Sequence, residues 1–181
     1  MPIRHEAWVN NGGAAFVLGD HYLVTPLTHM YARLVMISTL AGGNRLAIFP
    51  PTLPPTAANL IETIRKSKPD VVWIVPSLVK LIAEEEGGVD LLKSLEIVCS
   101  AGGPIPNELG EKLLAENVHL MSAIASSESG IIMNTVRDSE NVKAWDYFRR
   151  LPHVAVPSLG ESRGGTLRAR AGCTFPYGQY S

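Results

Sequence analysis

Three short segments hold residue types from which a ligand site can be built. The first, Ser100-Ala101-Gly102-Gly103-Pro104, follows an apolar run and precedes a segment of helical period that begins near Pro106. Two adjacent glycines carry no Cβ, so backbone N–H groups there can approach a flat or anionic ligand closely. A plain tight turn is the other reading of the pair. The spacing is neither GxGxxG nor GxxxxGK[ST], so it is neither a dinucleotide fingerprint nor a Walker phosphate loop. The second segment is Ser126-Ser127-Glu128, two hydroxyls and a carboxylate just after another apolar run. Hydroxyls can bond phosphate oxygens, and Mg2+ is usually held by one or two carboxylates together with substrate phosphates. The alternative is a helix N-cap with an acid in the first turn. The third is His29 in Pro26-Leu27-Thr28-His29, at a junction between a strand and a helix. An imidazole there could wall a pocket or move a proton, or be a hydrogen-bonded structural histidine. His5, His21, His119 and His153 share no metal-ligand spacing, and Cys99 reads as a small apolar residue of a buried strand. No GxSxG nucleophile elbow occurs.

The elements that must position these residues are legible as apolar runs alternating with segments of helical period, the pattern of βαβ units around a mostly parallel sheet. Val71–Val75, bounded by Pro69 and Pro76, has no polar position and predicts a strand covered on both faces. Tyr22–Val24, Leu46–Phe49, Leu95–Val98 and His119–Ala123 are the other predicted strands. Helical faces are expected from Leu60, Ile61 and Ile64, from Leu78, Leu81 and Ile82, and from Leu109, Leu113 and Leu114, with a further helix over Met30–Leu40. Pro76 suits a first helical position and Gly87 a stop. From about Asn134 the helical stripe is lost and Pro, Gly and Ser accumulate between Pro152 and Gly165, which predicts loops and short antiparallel strands. The expected division is an α/β core over residues 1–133 and a loop and short-strand segment of the same domain over 134–181.

Composition narrows the function class. With 181 residues, 46% hydrophobic and 18% charged, the chain can form a domain-sized core or part of a larger one. Sixteen Lys and Arg against seventeen Asp and Glu leave a net charge of −1, so no global field recruits nucleic acid or an anionic membrane. Cys99 and Cys173 form no CxxC motif, which suits a reducing compartment and a cytoplasmic location. The apolar stretches Ala14–Leu18 and Leu34–Ala41 fall short of the roughly 18 residues that span a bilayer, and the opening residues lack a signal-peptide core.

Taken in order, the segments resemble the N-terminal domain of the adenylate-forming superfamily of acyl-CoA synthetases, luciferases and nonribosomal-peptide adenylation domains. Pro26–His29 resembles the "PLxH" segment, Ile64–Ile82 the stretch around "vPs.l..l", Leu95–Pro106 the "sGGapl" passage, and Ile124–Gly130 (IASSESG) stands where the family carries "YGxTExG". The last match keeps Glu128 and Gly130, puts Ser127 for the threonine, and lacks the aromatic and first glycine at Ile124 and Ala125. Ala144–Val156 (AWDYFRRLPHVAV) is similar to a passage of fungal nonribosomal-peptide-synthetase-like adenylation domains, which are commonly followed by carrier and reductase domains. The resemblance places the family's phosphate loop before Met1. It implies activation of a small carboxylic acid with ATP and Mg2+ to an acyl-adenylate, followed by transfer to a thiol. By motif matching, Gly102 and Gly103 would line the adenine and acyl side, Ser127 would contact the AMP phosphate with Ser126 in the same nucleotide-binding set, Glu128 would bind the metal beside the nucleotide, and His29 would border the acyl pocket. The resemblance also implies that the chain alone lacks parts of that machinery and is inactive by itself. The alternative is a non-catalytic remnant that at most binds a nucleotide or a protein.

Overall fold

In the computed structural model, residues 19–127, 130–135 and 148–150 are described. They form one seven-stranded sheet in the order β2-β1-β3-β4-β5-β6-β7. The strands are β1 (His21–Leu23), β2 (Leu46–Ile48), β3 (Val71–Ile74), β4 (Ile97–Ala101), β5 (Leu120–Ser126), β6 (Gly130–Thr135) and β7 (Phe148–Arg150). β1 to β5 pair in parallel, and β6 and β7 add to the edge in antiparallel sense. The crossovers are α1 (Met30–Ala41) after β1, α2 (Ala57–Ser67) after β2, α3 (Pro76–Ala83) and α4 (Gly88–Lys93) after β3, and α5 (Asn107–Ala115) after β4. Among the described residues no helix is long and apolar enough to cross a membrane.

The strand order explains how the helices divide. From β1 the chain steps outward to β2, then returns past β1 to β3 and continues in that direction to β5. Parallel crossovers are right-handed, so the reversal puts α1 on one face and the remaining helices on the other. Two cores follow. Tyr22, Val72, Ile74, Val98 and Leu120 point to the face covered by α2 to α5 and meet Leu60, Ile64, Ile82 and Leu113. Leu23, Trp73, Cys99, Ala101 and Ala123 point to the opposite face and meet Tyr31, Ala32 and Val35 of α1. Each such buried aliphatic side chain contributes about 1.5–3 kcal/mol. β3 is central and both of its faces are covered, so Val71, Val72, Trp73 and Ile74 are all at most 1% exposed.

Several expectations need adjustment. β4 starts at Ile97 and runs on to Ala101, whereas Leu95 packs in the helix-side core ahead of the strand. The ladder continues because Cys99 and Ser100 have partners on both sides, Trp73 and Ile74 on β3 and Met121 and Ser122 on β5. Pro76 does open α3, but the buried face of that helix is Val79, Ile82 and Ala83, with Leu78 partly buried and Leu81 36% exposed. α3 stops at Ala83, and Gly87 (φ +69°) instead starts the short α4. The segment Pro152–Gly165 lies outside the described residues.

The amino ends of the strands are fastened by polar contacts. The backbone N–H of Asp20 donates to Asp70 Oδ2 at 2.6 Å, Arg45 pairs with the Asp20 carboxylate, and the Asp70 carbonyl accepts from Glu96 N–H at 2.9 Å. Beneath α1, Trp73 Nε1–H donates to His21 Nδ1 at 3.0 Å, which makes that nitrogen an acceptor and puts the imidazole proton on Nε2. Thr39 Oγ1 lies 2.9 Å from the same nitrogen and bonds the Val35 carbonyl at 2.8 Å. His21 is therefore a satisfied core residue.

Candidate functional site at the carboxyl edge of the sheet

In an open doubly wound sheet, ligands bind outside the carboxyl ends of the strands, at the point where the strand order reverses. Here that point lies between β1 and β3. The loops after β1, β3, β4 and β5 share this edge, and they contain the candidate segments Pro26–His29, Ser100–Pro104 and Ser126-Ser127.

After β4 the chain leaves the sheet at Gly102, whose φ of +95° is a conformation that side chains with a Cβ rarely adopt. A Cβ built there would lie 3.6 Å from Val75 Cγ1, and one on Gly103 would lie 3.9 Å from Pro76 Cγ. Space is thus available at both positions, and it is the backbone conformation that requires glycine at Gly102. Both glycines are exposed, while Ile105 just beyond them is 3% exposed and anchors the connection to α5. The two glycines lie on the β3 side of β4, against the first turn of α3.

After β5 the chain does not enter a helix, so the N-cap alternative for Ser126-Ser127-Glu128 is overturned. It folds back into the antiparallel β6, with Ser126 paired to Gly130 and Gly130 at φ +70°. Apolar residues at Ile131 and Ile132 allow the sheet to continue, whereas an N-cap needs a helical segment to follow. A register shift between Ile124 and Ala125 re-aims the end of β5. Ser126 is half-buried and Ser127 is exposed on the turn. Glu128 lies outside the described residues. No group of three or more His, Cys, Asp or Glu that could hold a metal occurs among the described residues.

After β1, Pro26–His29 forms the turn into α1. His29 N–H donates to the Pro26 carbonyl at 2.9 Å, and the His29 carbonyl accepts from Arg33 N–H at 3.3 Å. Arg33 Nε–H also donates to the Leu27 carbonyl at 2.9 Å. His29 occupies the N-cap position without a side-chain capping bond, and the residue is exposed. Its backbone shapes the turn that leads from the carboxyl end of β1 into α1.

Sequence reasoning missed three residues at this edge. Thr25 and Asn134 each bury a polar atom (Oγ1 and Oδ1) that has no hydrogen-bond partner among the described residues, and the buried Tyr31 hydroxyl is paired with the Cys99 thiol. Nothing local marked Asn134. Tyr31 packs edge-on to Trp73 with ring centroids 5.9 Å apart, and its burial pushes its phenol well above the usual range. Burial likewise pushes the Cys99 thiol upward, so it stays protonated and unreactive at neutral pH.

The described residues form a doubly wound α/β sheet with glycine-rich and hydroxyl-bearing loops gathered at its carboxyl edge. The chain belongs to the AMP-binding enzyme family, whose family model matches residues 1–162. It is 29% identical over 127 residues to adenylate-forming reductase Nps10 of Heterobasidion annosum, covering 68% of this chain and 12% of that protein. It is 27% identical over 110 residues to adenylate-forming reductase Nps11 of Serpula lacrymans, covering 61% of this chain and 10% of that protein. The chain thus spans about a tenth of the length of these relatives. Among solved structures it is similar to the amide bond synthetase McbA of Marinactinospora thermotolerans, with a TM-score of 0.65 and 20% identity over 81% of this chain and 31% of that one. The N-terminal subdomain of Klebsiella oxytoca NpsA matches with a TM-score of 0.63 and 19% identity, over 75% of this chain and 36% of that one. The fold is accordingly that of part of an adenylation domain's N-terminal subdomain, and the family implies use of ATP.

Proposed function

We propose that this chain forms the acyl- and nucleotide-binding edge of an adenylation domain, which in the intact enzyme activates a carboxylic acid with ATP and passes the acyl group to a thiol. The observation that carries this reading is the convergence of the loops after β1, β3, β4 and β5 on the carboxyl edge of one sheet, at and beside its topological switch point. In this reading the exposed backbone of Gly102 and Gly103 lies against the flat base, Ser126 and Ser127 donate to the phosphate, and His29 borders the acyl group. Glu128 is the residue assigned to Mg2+, because a single carboxylate sharing the ion with phosphates is its ordinary donor set. The metal would supply charge neutralisation at the phosphate. Similarity to adenylate-forming reductases favours a carrier and a reductase domain as the acceptors in a full-length relative, and a small acid as substrate.

The test is binding of AMP and ATP to the isolated chain by titration calorimetry, alongside the variants Gly102→Val and Ser127→Ala. Saturable binding that weakens about tenfold in Gly102→Val, through a blocked backbone approach, is expected. Binding unaffected by both variants would place the nucleotide elsewhere.

A further inference from the structure

We draw no further inference here: the strongest candidate, the open groove between α2 and the turn after α3, lined by Ile61, Glu62, Arg65, Glu85 and Glu86, carries nothing because its walls are exposed charges of both signs and nothing in the structure shows what would occupy it.

Discussion

At Gly102 the chain needs a backbone conformation that a Cβ opposes, with φ at +95°, although the nearest side-chain atom leaves room for a methyl group. Gly102→Ala should therefore lower stability by about 1–2 kcal/mol through backbone strain, without steric collapse. A urea unfolding series would check this, and an unchanged midpoint would show that the turn relaxes. Electrostatics at the opposite edge gives a second residue-level expectation. The Asp20 carboxyl is held below its usual value chiefly by its hydrogen bond to the Arg45 side chain, and Glu62 is lowered in the same direction by Lys66. A folded-state value below the unfolded one means that the contribution is fully present above about pH 4 and is lost as pH falls through the lowered value. Midpoints of urea unfolding should drop between about pH 5 and pH 2, and drop less in Asp20→Asn. An equally steep acid limb in that variant would show that this exposed pair adds no acid sensitivity. The ligand residues were legible here to different degrees. Gly102 and Gly103 were visible because a strand ends before them, whereas Thr25 and Asn134 look ordinary until burial leaves their polar atoms unpaired.

The elements were legible wherever local patterning and packing agree. α2 carries Leu60, Ile61 and Ile64 on one face, with Thr56 as N-cap, its side chain accepting from Asn59 N–H, and the packing uses that face. α3 is apolar at Leu78, Val79, Leu81, Ile82 and Ala83, so more than one face could be buried, and packing against α2, α4 and β4 selects Val79 over Leu81. The contact with α4 is tight: a Cβ on Gly88 would come within 1.7 Å of the Ile82 carbonyl oxygen. Gly88→Ala should cost about 1–3 kcal/mol, because α3 and α4 must separate. Thermal unfolding would report this, and a neutral result would mean that the loop between the helices yields freely. Across the sheet, Trp73→Phe keeps the aromatic packing against Tyr31 but removes the donor to His21 Nδ1. Loss of a buried hydrogen bond of this kind should cost about 1–3 kcal/mol. The same variant as stable as the parent would show that Thr39 alone satisfies His21.

On the scale of the whole molecule, β2 is the edge strand among the described residues, and beside it α1 carries Leu40, 60% exposed, and Ile37, 37% exposed. An edge strand next to exposed apolar side chains favours association. Sedimentation velocity should show self-association that rises with concentration, and Leu40→Lys should reduce it while leaving the unfolding temperature nearly unchanged. A monomer at all concentrations would contradict this. Carboxylate-dependent exchange of pyrophosphate into ATP by the isolated chain should be undetectable. The chain spans 12% of its Heterobasidion relative, and positioning of reactants by the full site accounts for about 7–11 kcal/mol of such barriers. Exchange abolished by Glu128→Ala would show that these residues suffice.

The sequence alone determined the alternation of strands and helices, the two-sided burial of Val71–Ile74 and the family. These depend on local apolar period and on short motifs that are continuous in the chain. Tertiary structure decided which helix lies on which face, because the direction of each crossover depends on the β2-β1-β3 order. It decided that Ser126-Ser127 sits on a hairpin rather than at a helix start, since only pairing with Gly130 and β6 makes that choice. It also brought the Tyr31 hydroxyl of α1 to the Cys99 thiol of β4, because a buried atom's partner is set by what surrounds it in space and not by its neighbours in sequence.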